Sequence, residues 1–384
     1  MEKLIVKNFG PIKEAEIELN KYVVFIGDTS TGKSVLAKLI AIFRDSLFSI
    51  LGSNNENQLN FKDQLIKFNI NFNTENTEIS FYEDEIKLLF LRNDFIVLSD
   101  QSIKEDFRKE FKELHKESLK NFHWPKFLDF DEEQLTDYIL QQTFSQIVST
   151  YIPAERILVS LISNSISGLL ANNVALPECY KEFAAKFEVS RKKDNIYHYK
   201  DFQIQYDFDN GRDNISVNNS KILLSEASSG IQSLIPMLLV LDTVVEEHSL
   251  ESSKLLIIEE PELNLYPTRQ KKIVDYFVGR IKNISCKLVI TTHSPYILSS
   301  LDTLLLAKNT FNEYPDLKEE INAIVPESNW IDYSDLSVYE VRNDGTIKSI
   351  KNEEFKSIDT NAIDGVSDII SEEFDRLTEL RYAQ

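Results

Sequence analysis

Four short stretches of the chain carry side chains whose types and spacing suit phosphate chemistry. Gly27-Asp28-Thr29-Ser30-Thr31-Gly32-Lys33-Ser34 fits the pattern GxxxxGK[ST] in full. The glycines let backbone N–H groups wrap a phosphate at a helix's positive end, Lys33 meets the outer phosphates, and the Ser34 hydroxyl can ligate magnesium. Lys254-Leu255-Leu256-Ile257-Ile258-Glu259-Glu260-Pro261-Glu262 sets carboxylates at the end of an apolar run. One acid there can hold Mg2+, and we expect it to be Glu259; the other, Glu260, is expected to orient or deprotonate an attacking water, because phosphoryl transfer asks a protein chiefly for positioning and charge. Lys287-Leu288-Val289-Ile290-Thr291-Thr292-His293-Ser294 ends a second apolar run on a histidine. A lone histidine at a strand end is usually structural, but between Thr292 and Ser294 it is placed to donate its N–H to a terminal phosphate. Finally, Ser228-Ser229-Gly230-Ile231-Gln232 leads into an apolar helix. Small residues at such a helix start form a weak anion-binding element, and alone they are an ordinary loop.

These residues need a sheet behind them. Leu4 to Phe9, Ala15 to Leu19 and the uniformly apolar Tyr22 to Ile26 read as three strands, with Gly10-Pro11 turning the first pair. Ser34 to Phe43 has the apolar spacing of a buried helix, so strand, glycine loop and helix follow in the order a phosphate loop requires. Residues 255 to 258 and 288 to 292 are short apolar runs of the kind that fill a parallel sheet covered on both faces. Tyr197 to Val217 alternates as a hairpin around Asp209-Asn210-Gly211. From about 46 to 149 the composition turns to Asn, Gln, Lys and Glu and reads as an insertion, with strands near Glu78 to Tyr82 and Phe95 to Leu98. Within it, Gln101 to Phe122 has an amphipathic helical pattern. Acidic residues interleave with the lysines of that helix at ion-pair spacing, so we read a solvated face and no phosphate-binding stripe.

Composition narrows the classes. The chain has 384 residues and a formal charge of −20, with 42% hydrophobic and 27% charged residues, ordinary for a folded globular protein. The excess of acid argues against wholesale coating of nucleic acid. Two cysteines, Cys179 and Cys286, make neither a disulfide framework nor a cysteine zinc site. No apolar run of membrane-spanning length and no leader pattern is visible, so a cytoplasmic protein without a membrane is expected.

Taken in order, the four stretches resemble the ABC-class ATPase heads of the RecF, SMC and OLD type, in the branch called AAA15 or AAA21-like. The resemblance covers residues 1–45 and 150–301 well, and 46–149 and 302–384 poorly. It implies a single α/β head over 1–384 with a mixed sheet, an antiparallel N-terminal β lobe and a helical insertion at 46–149; residues 302–384 complete the fold. It also implies ATP and Mg2+ as ligands, Ser34 and Glu259 at the metal, and Glu260 and His293 as catalytic residues. Gly27, Asp28, Thr29, Ser30, Thr31, Gly32, Lys33 and Ser34 lie at the phosphates. Glu262 to Asn264 corresponds to the segment after the acid pair. Ser228, Ser229, Gly230 and Gln232 would be a signature loop acting on the nucleotide of a second copy, so a homodimer or higher homo-oligomer is implied. Tyr151-Ile152-Pro153-Ala154-Glu155-Arg156 also resembles a segment frequent in this branch. Two departures stand out: Ser-Ser-Gly-Ile-Gln in place of the transporters' Leu-Ser-Gly-Gly-Gln, and Glu259 in place of Asp, whose extra methylene suggests slow turnover. Long heptad arms and an appended nuclease domain of about 100 residues or more are not visible. The resemblance therefore suggests a switch that governs a separate effector, a nuclease or toxin, as in phage-defence systems of the PARIS, Septu or Gabija kind. The alternative is a RecF-like DNA-binding ATPase of repair or recombination.

Overall fold

The structure is a computed structural model that describes residues 2–52, 61–72, 75–83, 86–91, 94–98, 149–162, 176–193, 196–217, 220–246, 254–359 and 365–382. The chain opens with β1 (Glu2–Phe9), β2 (Ile12–Glu18) and β3 (Tyr22–Gly27). In β2 the apolar Ile12, Ala15 and Ile17 are buried while the charged residues between them are exposed, the alternation of a sheet with one covered face. Strand β3 is buried from Tyr22 to Ile26, and it belongs to a different sheet. Helix α1 (Lys33–Gly52) follows the glycine loop, and α2 (Phe61–Lys67) comes next. Strands β4 (Glu78–Glu83), β5 (Ile86–Leu91) and β6 (Asp94–Leu98) then extend the opening hairpin into an antiparallel sheet of order β2-β1-β4-β5-β6. Within residues 46–149, β4 thus pairs directly with β1, and β5 and β6 extend the sheet from it. Residues 53–60 and the helix expected over Gln101 to Phe122 lie outside the described residues.

The central sheet has the order β15-β14-β3-β13-β12-β7. It is assembled from β7 (Thr150–Ile152), β12 (Lys254–Glu259), β13 (Cys286–Thr292), β14 (Leu336–Val341) and β15 (Ile347–Ser349) around β3. All neighbours run parallel except β15, which folds back antiparallel on β14. Side chains alternate between its faces. Val24, Ile26, Leu256, Ile258, Leu288 and Ile290 join one buried cluster, while Val23, Phe25, Leu255, Ile257 and Val289 join the other. Both faces are covered, which is why these strands read as unbroken apolar runs.

Helices α3 (Ile157–Ile162) and α4 (Glu178–Lys193) follow β7. A second antiparallel sheet, β8 (Ile196–Tyr199), β9 (Ile204–Asp209), β10 (Arg212–Val217) and β11 (Ser220–Leu223), comes after them in the order β11-β10-β9-β8. The expected hairpin is there: Asp209 pairs with Arg212 around Asn210 and Gly211, whose φ angles are 51° and 76°, the two left-handed residues of a tight hairpin turn. Helix α5 (Ser229–Glu246) is long and apolar enough to cross a membrane by composition, yet 89% of its 18-residue window is buried within the fold. It is a core helix. Helices α6 (Pro267–Ile281) and α7 (Pro295–Glu313) cover the same face, and α8 (Lys318–Ile324) and α9 (Gly365–Tyr382) belong to the C-terminal part.

Candidate functional site

Parallel strands deliver their carboxyl ends to one edge, and the pairing register aligns them there. Ile26 stands opposite Thr292, Glu259 opposite Thr291, and Gly27 opposite Val341. In the sheet, β13 stands between β12 and β3, so the residue at the end of β13 faces both.

The phosphate loop is held from behind by packing. A Cβ on Gly27 would sit 2.3 Å from the Val341 carbonyl oxygen of β14. Gly32, at φ +108°, would bring a Cβ to 2.6 Å from Ile12 Cδ1 and 2.9 Å from Pro11 Cγ. The turn of the opening hairpin therefore buttresses the loop, and only glycine fits. Thr31 Oγ1 donates to the Asp28 carbonyl at 2.9 Å, and the Thr29 N–H donates to Asp28 Oδ1 at 2.7 Å. Asp28, Thr29 and Ser30 are exposed, while Thr31 is buried. Lys33 is 5% exposed; its Nζ donates to the Gly27 and Asp28 carbonyls at 3.0 and 2.7 Å. Burial lowers its pKa, opposed by the charges of Glu260, Asp28, Glu262 and Glu259. Ser34, half-buried, lies in the first turn of α1, where N–H groups have no intrahelical acceptor.

Glu259 ends β12 and is buried, with Oε1 lacking a hydrogen-bond partner among the described residues. The nearby Tyr151 hydroxyl has its pKa pushed up by burial and then by the Glu259 charge. At Glu260 the chain leaves the strand with φ +43°, a left-handed conformation that costs a non-glycine residue about 1–2 kcal/mol. Its N–H donates to the Thr291 carbonyl at 2.8 Å. Glu260 Oε1 lies 3.4 Å from His293 Nε2, and Lys33 Nζ lies 3.4 Å from His293 Nδ1. The two ring nitrogens of His293 face Lys33 and Glu260. His293, just past the end of β13, thus links Lys33 at the start of α1 with Glu260, just past the end of β12.

Glu262 fastens that link. Its Oε1 accepts from Thr292 Oγ1 at 2.7 Å and from the His293 N–H at 2.8 Å. Ser294 Oγ donates to Gln270 Oε1 at 2.5 Å, and Gln270 Nε2 donates to the Leu265 carbonyl at 2.9 Å. The sequence reading assigned Glu262 no bond of this kind; the signal available was a third carboxylate two residues beyond the pair.

Ser228 and Ser229 are exposed at the start of α5, whereas Gly230 and Gln232 are buried. Gln232 Nε2 donates to the Ser225 carbonyl at 2.7 Å, so this side chain closes its own loop. A Cβ on Gly230 would meet the Asn264 carbonyl oxygen at 2.7 Å; the helix start thus presses on the backbone just after the acid turn. Arg156, 0% exposed, reaches the same two places: Nε donates to the Ser233 carbonyl at 3.2 Å, Nη1 to Pro153 and Glu259 carbonyls at 3.2 and 2.7 Å, and Nη2 to the Glu260 carbonyl at 2.7 Å. Nothing local to the segment ending in Arg156 announces carbonyl partners 103 and 104 residues away.

Among the described residues no group of three or more His, Cys, Asp and Glu is arranged to hold a metal by protein ligands alone. The donors present, a hydroxyl at Ser34 and the unpartnered Glu259 carboxylate oxygen, fit an ion that keeps substrate phosphates and waters among its ligands.

Comparison with known proteins places the chain. The solved structures similar to it include an SMC head bound to the C-winged helix domain of ScpA, at 11% identity over 91% of this chain and 96% of that one, with a TM-score of 0.44. The SMC head domain from Thermotoga maritima is similar at 12% identity, over 91% and 98% of the two chains, with a TM-score of 0.40. An SMC head domain with an extended coiled coil, bound to the C-terminal domain of ScpA derived from Pyrococcus furiosus, is similar at 11% identity over 99% and 100%, with a TM-score of 0.37. No curated protein matches. The AAA_15 description, an AAA ATPase domain, matches residues 1–164 and 164–298, most of the chain and all four stretches described above, and the chain therefore belongs to the AAA_15 family of AAA ATPase domains.

Proposed function

We propose that the chain binds ATP with Mg2+ at the edge formed by β3, β13 and β12 and hydrolyses it slowly, as a switch. The observation that supports this most is the line Lys33–His293–Glu260, 3.4 Å at each step, bounded by the phosphate loop on one side and Glu259 on the other. In this reading Gly27 to Ser34 bind the phosphates, with Lys33 as their side-chain cation and the first-turn N–H groups of α1 as donors. Ser34 and Glu259 would hold the magnesium, which when bound would neutralise charge developing on the phosphates. Glu260 orients the attacking water and accepts its proton; His293 donates a ring N–H toward the transferred phosphoryl group. Glutamate at 259 reaches one methylene further than aspartate would, in keeping with slow turnover suited to a switch.

The exposed Ser228 and Ser229, at the positive end of α5, act in trans on the nucleotide of a second copy, so two chains close over two nucleotides. Closure governs a separate effector protein in the cytoplasm, a nuclease or toxin in an antiviral setting. Residues 46–149 and 302–384, least like the catalytic frame, give the partner its surface. Light scattering of Glu260→Gln with ATP and magnesium tests the assembly. A mass of two chains or more, lost in Lys33→Ala, is expected; a monomer under both conditions contradicts the composite site.

A further inference from the structure

We infer that Arg156 is a positioning residue that sets the Glu259–Glu260 turn and ties it to the start of α5, so that a displacement of the signature end reaches the water-activating carboxylate. This rests on the assignment of Glu260 as the base. The acceptors its guanidinium is seen to reach are all main-chain carbonyls: Pro153 after β7, Glu259 and Glu260 at the acid turn, and Ser233 in the first turns of α5. An arginine at 0% exposure is costly to bury. Burial pulls its pKa down to about 10, against the opposing charges of Glu262, Glu260, Glu259 and Glu155. A fold that needed only to fill this space would place an apolar side chain here.

Geometry says what the cation does instead. Glu260 sits at φ +43°, a conformation that persists only where its surroundings over-determine it. Two contacts do so from the backbone side: the Glu260 N–H on the Thr291 carbonyl at 2.8 Å and Arg156 Nη2 on the Glu260 carbonyl at 2.7 Å. The same planar group holds Ser233, four residues along α5 from the exposed Ser229, while Gly230 presses on the Asn264 carbonyl from the other side. Helix start and acid turn therefore move together or not at all. Lysine cannot substitute, because a single ammonium on a flexible stem cannot span carbonyls that a rigid five-donor fork reaches at once.

The test compares Arg156→Lys, Arg156→Ala and Glu260→Gln with the parent full-length chain, measuring kcat, ATP affinity by calorimetry and the thermal unfolding midpoint. Arg156→Lys should lose about 10- to 100-fold in kcat, the effect of a small misplacement of a catalytic group. Its ATP affinity should stay within about threefold of the parent, since the phosphate loop is untouched. Millimolar methylguanidinium should restore part of the lost kcat to Arg156→Ala; should that variant fail to fold, the kcat-against-affinity split in Arg156→Lys decides. Parental kcat in Arg156→Lys, with Glu260→Gln inactive, overturns this inference alone. So does a loss of kcat matched by equal loss of ATP affinity and midpoint, without recovery in methylguanidinium, because Arg156 then only holds the fold. Parental hydrolysis in Glu260→Gln overturns the assignment of the base and this inference with it.

Discussion

The phosphate loop and the start of α5 are both glycine-bearing helix entrances, yet the chain treats them differently. The first is closed in on itself. β14 and the β1–β2 turn press on Gly27 and Gly32, Lys33 is nearly buried, and His293 and Glu260 complete the line within the same chain. The second is fixed only from behind, by Arg156, by Gly230 against Asn264 and by Gln232 folded onto Ser225, while Ser228 and Ser229 face outward. One entrance is braced on all sides by its own chain; the other is braced from behind and leaves two hydroxyls exposed. The difference supports reading the chain as half of each composite site.

The largest effect expected from breaking this contrast is on the chemistry. Glu260→Gln should lower kcat by about 10²- to 10⁴-fold, the usual contribution of a general base, while ATP stays bound. Single-turnover hydrolysis with parallel calorimetry checks it, and loss of ATP binding instead would exchange the roles of Glu259 and Glu260. Lys33→Ala should weaken ATP binding by about 100-fold, or about 2.7 kcal/mol, because the backbone cradle remains but its cation is gone. Equal affinity in calorimetry with magnesium would contradict the assignment of the loop.

Gly230→Ala probes the rear brace of α5. Alanine usually stabilises a helix by about 1 kcal/mol over glycine; here its Cβ meets the Asn264 carbonyl at 2.7 Å, and overpacking should instead cost about 1–3 kcal/mol. Urea unfolding reads the stability, and kcat should fall alongside it because the acid turn is displaced. The smallest effect belongs far from the site. Gly211→Ala, at φ +76° with no atom near its would-be Cβ, should cost about 1 kcal/mol from the backbone alone and leave kcat unchanged.

Much of this was legible in the sequence where chemistry and local pattern coincide. GxxxxGK[ST] after an apolar strand, acids ending a second and a histidine ending a third fall together at one edge of the sheet, because a buried parallel strand must be apolar along its length and polar only where it emerges. Asn210-Gly211 named its own turn. Long-range pairing was not legible. Nothing in Leu336–Val341 says that it lies against β3 and lends a carbonyl to Gly27, and Ile86–Leu91 did not announce itself as the partner of β4. The placement of β13 between β12 and β3, which lets His293 bridge Lys33 and Glu260, is a property of sheet order that no single segment encodes. Nor do the partners of Arg156, all main-chain carbonyls, leave any mark in side-chain composition.

The composite site is tested most directly by mixing two inactive variants. Ser229→Glu places a charge at an exposed position, so its folded stability should stay within about 0.5 kcal/mol of the parent. It should nonetheless lose hydrolysis by repelling the phosphates of the other copy's nucleotide. Lys33→Ala loses hydrolysis at its own loop. In an equimolar mixture only dimers with one chain of each kind have an intact site, one of their two, so ATPase activity should return to a measurable fraction of the parent's, at most about half. A mixture as inactive as its two components, or a Ser229→Glu chain that hydrolyses ATP like the parent, would contradict the reading of each chain as half of two active sites.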